Sequence, residues 1–343
     1  MPDFIDALIE EIGMYGEAFE CFDTVYLGGG TPSILPPNQI ERILNAVRMN
    51  FNLLENTEIT MEANPGDLDL TYLASLRNLG VNRLNIGVQS FNEEVLKCLG
   101  RRHSVGQAVS AIEDARQAGF RNLGLDLIYG VPGQGKALWL ETLEQAISLR
   151  PEHLSCYQLT IEPRTPLGKR YGEKEFSLPS DDLQYEFFMK TSETLEEAGY
   201  VHYEVSNFAK GMVFSSRHNQ KYWDHTPYLG LGPAAHSLMC NQRWWNHRSV
   251  DKYVSAIRNG AKPIEGIEVL SLEQLQLEAF YLGLRTKKGI CIEDFSEKYS
   301  WDILTGKEKS FVELQKKGLI LIENGFVHPT RSGLALSDNL ALL

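Results

Sequence analysis

No two cysteines of this sequence lie close together. The five, Cys21, Cys98, Cys156, Cys240 and Cys291, are dozens of residues apart. No CxxC or CxxxCxxC spacing occurs, so the sequence holds no local zinc or iron–sulfur ligand set. Five scattered cysteines in a cytosolic chain are expected to be free thiols. No stretch approaches the ~20 apolar residues of a membrane-spanning helix. The opening segment, MPDFIDALIEEIGMYGEAFE, has neither a basic n-region nor an apolar h-region. A secretory signal is therefore not expected, and the cytoplasm is the expected compartment. Basic residues are the minority, 33 Lys and Arg against 45 Asp and Glu, for a net charge of −12. That balance favours solubility and disfavours nonspecific binding of nucleic acid.

What is present is an ordinary globular composition. The 343 residues are 43% hydrophobic and 23% charged, which excludes disorder as the main state and suffices for one large domain or two modest ones. The first ~165 residues repeat one theme: a short apolar run ends in Gly, Pro, Asn or Asp, and an amphipathic stretch follows. The runs are residues 24–27 (TVYL), 58–61 (EITM), 83–88 (RLNIGV), 122–128 (NLGLDLI) and 153–159 (HLSCYQL). Helical patterns cover 37–50, 69–79, 93–99, 105–117 and 137–149. Such runs, nearly continuous in apolar residues, are expected of buried parallel strands. Five βα units in series predict an α/β fold with a closed or partly closed parallel barrel, a doubly wound sheet being the other solution. The chain opens with a helix, Asp3 to about Phe19, where a βα array should open with a strand.

Beyond Pro163 the repeat stops. Residues 167–179 read as a connector, 182–198 as an amphipathic helix, and 200–208 as an edge or hairpin strand. Residues 211–246 are rich in aromatics, His and Gly, and 250–259 form a helix. From Ser271 the pattern is helix, short helix, helix and a hairpin turning at Asn324-Gly325, as in a winged helix. Mixed local charge there gives no reason to expect DNA binding. The expected units are 1–166 for the partial barrel, 167–265 for an accessory segment and 266–343 for the winged-helix-like end.

The sharpest local motif is Gly28-Gly29-Gly30-Thr31-Pro32 after the first strand. Three glycines let a backbone approach a ligand closely and expose amide donors to it. The motif is neither GxGxxG nor a Walker loop. The alternative is a βα turn that needs positive φ. Glu62, Gln89 and Asp126 are polar residues in or just after apolar strands, where an unpaired polar group is costly. Together they read as one lined site at the strand ends, with Arg101 supplying a cation for a carboxylate ligand. The alternative is a set of internal salt bridges. A second candidate is Arg217-His218-Asn219-Gln220-Lys221-Tyr222-Trp223. Imidazole binds iron well, although a lone His is more often a hydrogen-bonded structural residue. His225, His236 and His247 are alternatives nearby, and Trp244 and Trp245 read equally well as core.

The ordered set VYLGGGTPS, EITMEANPG, NRLNIGVQSF, LGRRHS, LDLIYGVPG, YQLTIEP, RHNQKYW and GLGPAAHS resembles the oxygen-independent coproporphyrinogen III oxidase-like family of radical S-adenosylmethionine proteins, within it the heme chaperone branch. The resemblance covers nearly the whole chain. It implies a partial barrel of (β/α)6 type, five of the six units being present, with a C-terminal α+β accessory domain. By position, Gly29, Gly30 and Thr31 resemble the segment that holds the methionine end of S-adenosylmethionine, and Glu62, Gln89, Arg101 and Asp126 its further contacts. His218 stands where the branch's HNxxYW motif has its His, which implies heme binding by His218, Tyr222 and Trp223, with His218 on the iron.

The family also carries a Cys-x3-Cys-x2-Cys loop after its first barrel strand, whose thiolates hold a 4Fe–4S cluster. Neither strand nor loop occurs in this sequence. Two expectations compete: a longer physiological protein, through a misassigned start or a truncated gene, which the orphan first helix favours, or a protein that lacks the cluster. The cluster is the electron source for reductive cleavage of S-adenosylmethionine, so no oxidase activity is expected from the sequence as it stands. The expected function is heme binding and delivery to acceptor proteins, with S-adenosylmethionine held by the barrel and a homodimer admitted. The alternatives are an oxygen-independent coproporphyrinogen III oxidase-type enzyme and a generic barrel enzyme with a metal or phosphate at Glu62 and Asp126.

Overall fold

The computed structural model describes residues 2–16, 19–305 and 307–340. Helix α1 (Pro2–Gly13) ends six residues before the expected Phe19, in a turn over residues 14–16. Residues 17 and 18 lie outside those described. Five βα units follow. They are β1 (Phe22–Leu27) with α2 (Pro37–Asn50), β2 (Leu53–Ala63) with α3 (Leu70–Asn78), β3 (Arg83–Gln89) with α4 (Glu93–Cys98) and α5 (Val105–Gln117), β4 (Leu123–Tyr129) with α6 (Lys136–Ser148), and β5 (His153–Gln158) with α7 (Pro166–Gly172) and α8 (Asp181–Glu197). Strands β6 (Val201–Glu204) and β7 (Asn207–Ala209) form a hairpin that returns to the same sheet. Its order is β1-β2-β3-β4-β5-β7-β6, parallel through β5 and antiparallel beyond. The sheet is thus a curled half-barrel with edges at β1 and β6, as expected of a partial barrel. One difference from the sequence reading is α7, which lies inside the expected connector. It is short and polar, and Thr165 caps it by accepting from the Gly168 N–H at 3.0 Å.

The strands are not continuous apolar runs. They alternate in polarity, because one face packs on the surrounding helices while the other lines the concave interior of the sheet. On that face the cross-strand row Leu27–Met61–Leu84–Leu123 continues into Ile86, Leu125 and Leu154. Ile40 and Leu44 of α2, Leu73 and Leu76 of α3, Ala108 and Ile112 of α5, and Trp139 and Leu143 of α6 pack against it in one core. The same core takes in Phe187 and Leu195 of α8, Tyr200 and Phe208, and the Trp139 indole donates to Thr191 Oγ1 at 2.8 Å. The concave face carries the other register: Tyr26–Thr60–Arg83, then Glu62–Asn85–Gly124–His153. Gly124 is required in that row, since a Cβ there would stand 2.6 Å from Asn85 Oδ1.

Residues 211–223 fill the concave side below the strand ends. Helix α9 (Arg217–Trp223) lies among them, and Arg83 donates to the Phe214 carbonyl at 2.9 Å. Strands β8 (His236–Met239), β9 (Gln242–Asn246) and β10 (Ile264–Val269) form a second, antiparallel sheet in the order β10-β9-β8, and α10 (Val250–Arg258) precedes β10. The orphan helix α1 joins this unit to the barrel: Ile12 and Tyr15 pack with Ile43 and Val47 of α2 and with Trp244. Its buried Glu11 accepts from the Gly232 N–H at 2.7 Å, Asn246 Nδ2 at 2.6 Å and the Tyr253 hydroxyl at 2.6 Å.

The C-terminal unit runs α11 (Leu272–Gly283), β11 (Ile290–Cys291), α12 (Ile292–Tyr299), α13 (Glu308–Lys316), β12 (Ile320–Glu323) and β13 (Phe326–Pro329), with a sheet in the order β11-β13-β12. This is winged-helix order, around Phe280, Phe295, Phe311 and Val327. Asn324 and Gly325 both have positive φ, 50° and 79°, as the tight Asn-Gly hairpin demands. Helices α14 (Arg331–Ala335) and α15 (Ser337–Leu340) follow, and α14 packs back on α8.

Glu204 at the end of β6 is buried, and its Oε1 has no partner. Burial pushes its carboxyl up to about 7, against the opposing effects of Asn207, the Ser206 and Asn207 amides and Arg285. The folded state therefore binds the extra proton between pH ~4.5 and 7, and stability falls as pH rises through that window. We predict that Glu204→Gln flattens the pH dependence of thermal unfolding between pH 5 and 7.5 and raises Tm by a few °C at pH 8.

Candidate functional site

The five parallel strands point their C-terminal ends at one opening. After β1 the chain turns sharply at Gly29 and Gly30, with φ of 78° and 67°, which only glycine adopts without strain. Gly28 is glycine for another reason: a Cβ there would stand 2.5 Å from Tyr26 Cε1 and 3.1 Å from Glu62 Oε1. The turn reading and the ligand reading of this motif therefore hold together. Below it is a cavity of about 170 Å³ lined by Gly30, Thr31, Pro32, Glu62, Ala63, Asn64, Asn85, Gly87, Gln89, Arg101 and Asp126.

Six of the seven residues expected to hold a ligand here line that cavity. The seventh, Gly29, donates its N–H to Glu62 Oε2 at 3.2 Å. Asn85, Gly87 and Tyr26 are additional. Reading RLNIGVQ with period two, as Arg83, Asn85, Gly87, Gln89, would have found the first two on the inner face.

Glu62 Oε1 accepts from the Tyr26 hydroxyl at 2.8 Å, and that hydroxyl accepts from Asn85 Nδ2 at 3.3 Å. Asn85 Oδ1 and Asp126 Oδ1 are shut off from solvent with no partner. Burial pushes the Asp126 carboxyl up to about 6. The Ser155 hydroxyl draws it down, the charge of Glu62 raises it further, and Arg83 and Arg101 oppose the rise. Gln89 has a φ of 66°, a left-handed backbone unusual for a side-chain-bearing residue, and its buried amide ends β3 at the cavity wall. The site thus offers acceptors on one side, Glu62, Asn85 and Asp126, and a guanidinium, Arg101, on the rim. That set fits an ammonium and a carboxylate on one ligand, and the volume fits an amino-acid-sized part.

The second candidate site is built on α9, seven residues long and capped by Ser216, whose Oγ accepts from the Asn219 N–H. The Glu58 carboxylate receives the N–H groups of Arg217 at 3.4 Å and His218 at 3.2 Å. The His218 imidazole stacks on Tyr26, with centroids 4.7 Å apart and planes at 21°. Its Nδ1 shares a hydrogen bond with Thr24 Oγ1 at 3.2 Å, and its Nε2 with the exposed Tyr222 hydroxyl at 2.9 Å. Burial, then the charge of Lys221, push the imidazole down to about 4, against the pull of Asp23. His218 is therefore neutral at physiological pH, the form that ligates iron. Trp223 faces the other way, beneath the Arg285 guanidinium at 5.4 Å. The other histidines nearby are engaged elsewhere: His225 with Tyr299 and Glu278, His236 with Trp245, and His247 with Glu265.

The cysteines do not fit a metal cluster. Cys156 is buried in the sheet core, and among the described residues no three His, Cys, Asp or Glu side chains come together as metal ligands. No helix among the described residues is long and apolar enough to cross a membrane.

A half-barrel of parallel strands with a glycine-rich turn and an amino-acid-sized polar cavity at its strand ends, followed by a winged-helix unit, defines a radical S-adenosylmethionine-type fold with an accessory domain. Residues 4–146 match the Radical SAM superfamily, and residues 270–336 match the HemN C-terminal domain. The chain is 36% identical over 340 residues to a heme chaperone HemW of Lactococcus lactis, covering 98% of this chain and 88% of that one. It is 32% identical over 318 residues to the heme chaperone HemW of Bacillus subtilis, covering 92% and 84%. The structure superposes on coproporphyrinogen III oxidase (HemN) of Escherichia coli with a TM-score of 0.85, at 24% identity, over 99% of this chain and 82% of that one. The chain belongs to the HemW family.

The position of Asp126 generates a test. Its ionised fraction grows as pH rises through about 6, so a cation-bearing ligand should bind more tightly at pH 7 than at pH 5. Calorimetric titration with S-adenosylmethionine should show up to roughly tenfold strengthening across that interval, and Asp126→Asn should remove most of it.

Proposed function

We propose that this protein is a heme chaperone: it binds heme through α9 and delivers it to acceptor proteins, while the barrel cavity holds the methionine end of S-adenosylmethionine. The observation that carries the heme assignment is His218, a neutral imidazole whose Nε2 meets the exposed Tyr222 hydroxyl. Iron at Nε2 would take the place of that hydrogen bond. Tyr222 adds an exposed aromatic ring on the same helix, suited to a flat macrocycle, whereas Trp223, turned under Arg285, does not join it.

In the cavity, Glu62, Asn85 and Asp126 would receive the ligand's ammonium and Arg101 its carboxylate. S-adenosylmethionine supplies the sulfonium that radical chemistry acts on. The residues of this chain contribute binding and orientation, and its five cysteines do not fit a cluster. The alternative, an oxygen-independent coproporphyrinogen III oxidase, shares the fold, but nothing in the arrangement of α9 favours it.

The test is a spectrophotometric titration of the purified protein with heme. His218→Ala should weaken binding at least tenfold and alter the Soret band. An unchanged affinity and spectrum would remove His218 from the iron. Anaerobic incubation with coproporphyrinogen III and S-adenosylmethionine should yield no decarboxylated product.

A further inference from the structure

Tyr26 reaches both sites. Its hydroxyl donates to Glu62 Oε1 at 2.8 Å in the cavity wall, and its ring carries the His218 imidazole at 4.7 Å. Its ring is backed closely by Gly28, where there is no space for a Cβ. We propose that Tyr26 is a positioning residue that couples the sites: an ammonium-bearing ligand at Glu62 favours release of His218 from its resting hydrogen bonds and so tightens iron binding.

The argument follows from shared groups. Glu62 already accepts from Tyr26 and from the Gly29 N–H. A ligand ammonium competes for that carboxylate and loosens its hold on the Tyr26 hydroxyl. On the other side, the imidazole is held between Thr24 Oγ1, the Tyr222 hydroxyl and the Tyr26 ring. Exposing Nε2 requires Tyr222 to let go and the imidazole to shift on Tyr26, which is easier when Tyr26 is not anchored to Glu62. Both binding events act on one ring, and a coupling between two equilibria is reciprocal. Tyr26→Phe keeps the ring and removes the hydroxyl, so it separates stacking from transmission.

This proposal rests on the heme and S-adenosylmethionine readings above, and two measurements keep its failure distinct from theirs. In the first, the protein carries ring-¹⁵N-labelled histidine and no heme, with the His218 signal assigned by its loss in His218→Ala. Adding S-adenosylmethionine or L-methionine should shift that signal in the wild type and leave it in place in Tyr26→Phe. In the second, heme is titrated with and without saturating S-adenosylmethionine. S-adenosylmethionine should lower the heme Kd by about fivefold or more, heme should lower the S-adenosylmethionine Kd by the same factor, and Tyr26→Phe should bring both ratios to about one while still binding heme. A protein that binds no heme overturns the heme reading, and the first measurement then decides the coupling alone. Calorimetry fixes whether S-adenosylmethionine binds at all, and its failure to bind overturns the S-adenosylmethionine reading; with binding shown, an unmoved His218 signal in the wild type, a Kd ratio of one or of the opposite sense, or a ratio unchanged in Tyr26→Phe overturns the coupling.

Discussion

A buried guanidinium organises the concave face of this barrel. Arg83 is fully buried, yet its Nε and Nη2 find no partner. Its charge is met by Glu58 at 4.0 Å, while Nη1 donates to Asn122 Oδ1 and the Phe214 carbonyl. Glu58 in turn takes two backbone N–H groups at the start of α9. A buried charge without its counterion is strongly destabilising, so this pair requires residues 211–223 to lie against the inner wall. His218 stands where it does because α9 is pinned there. The ion pairs of Arg217 and Lys221 with Asp23 of β1 reinforce the seat from its rim.

The strand-end cavity obeys the same logic. A sheet covered on one face sends every second residue inward, and this sequence places Glu, Asn, Gln and Asp there. Beside that cavity Asn85 Oδ1 and Asp126 Oδ1 stay without a hydrogen-bond partner, uncommon for buried acceptors. At the base of the sheet the Tyr203 hydroxyl ties the inward groups together: it meets His153 Nε2 at 2.8 Å and accepts from the Ser216 N–H.

Helices were the most legible part of the sequence. The bounds of α2 and α5 follow from amphipathic spacing and from end signals, Pro37 at one and the Ser104–Gln107 capping box at the other. Strand ends were less legible: β2 begins at Leu53, well before the apolar run, because its exposed edge reads LLEN. The polar residues at strand ends stood out from apolar neighbours and proved to share a cavity. Tyr26 did not stand out, because a tyrosine inside TVYL passes for one more apolar residue. Asn85 and Arg83 were hidden for the opposite reason: the strands were read as buried on both faces, so inward polar residues looked like exceptions rather than a second register. The role of α1 was illegible because the groups that receive its buried Glu11 lie more than two hundred residues away.

That distance has a kinetic consequence. The Glu11 carboxylate finds its first partner at Gly232, 221 residues downstream. At ribosomal speeds of about 5–20 residues per second, α1 waits roughly 10–40 s before the donors that satisfy its buried carboxylate are synthesised. During that interval Ile5 and Ile12 have only part of their final cover. The nascent half-barrel is therefore a species that holdase chaperones can engage, and closure of the accessory sheet over α1 is a late event in the maturation of the chain.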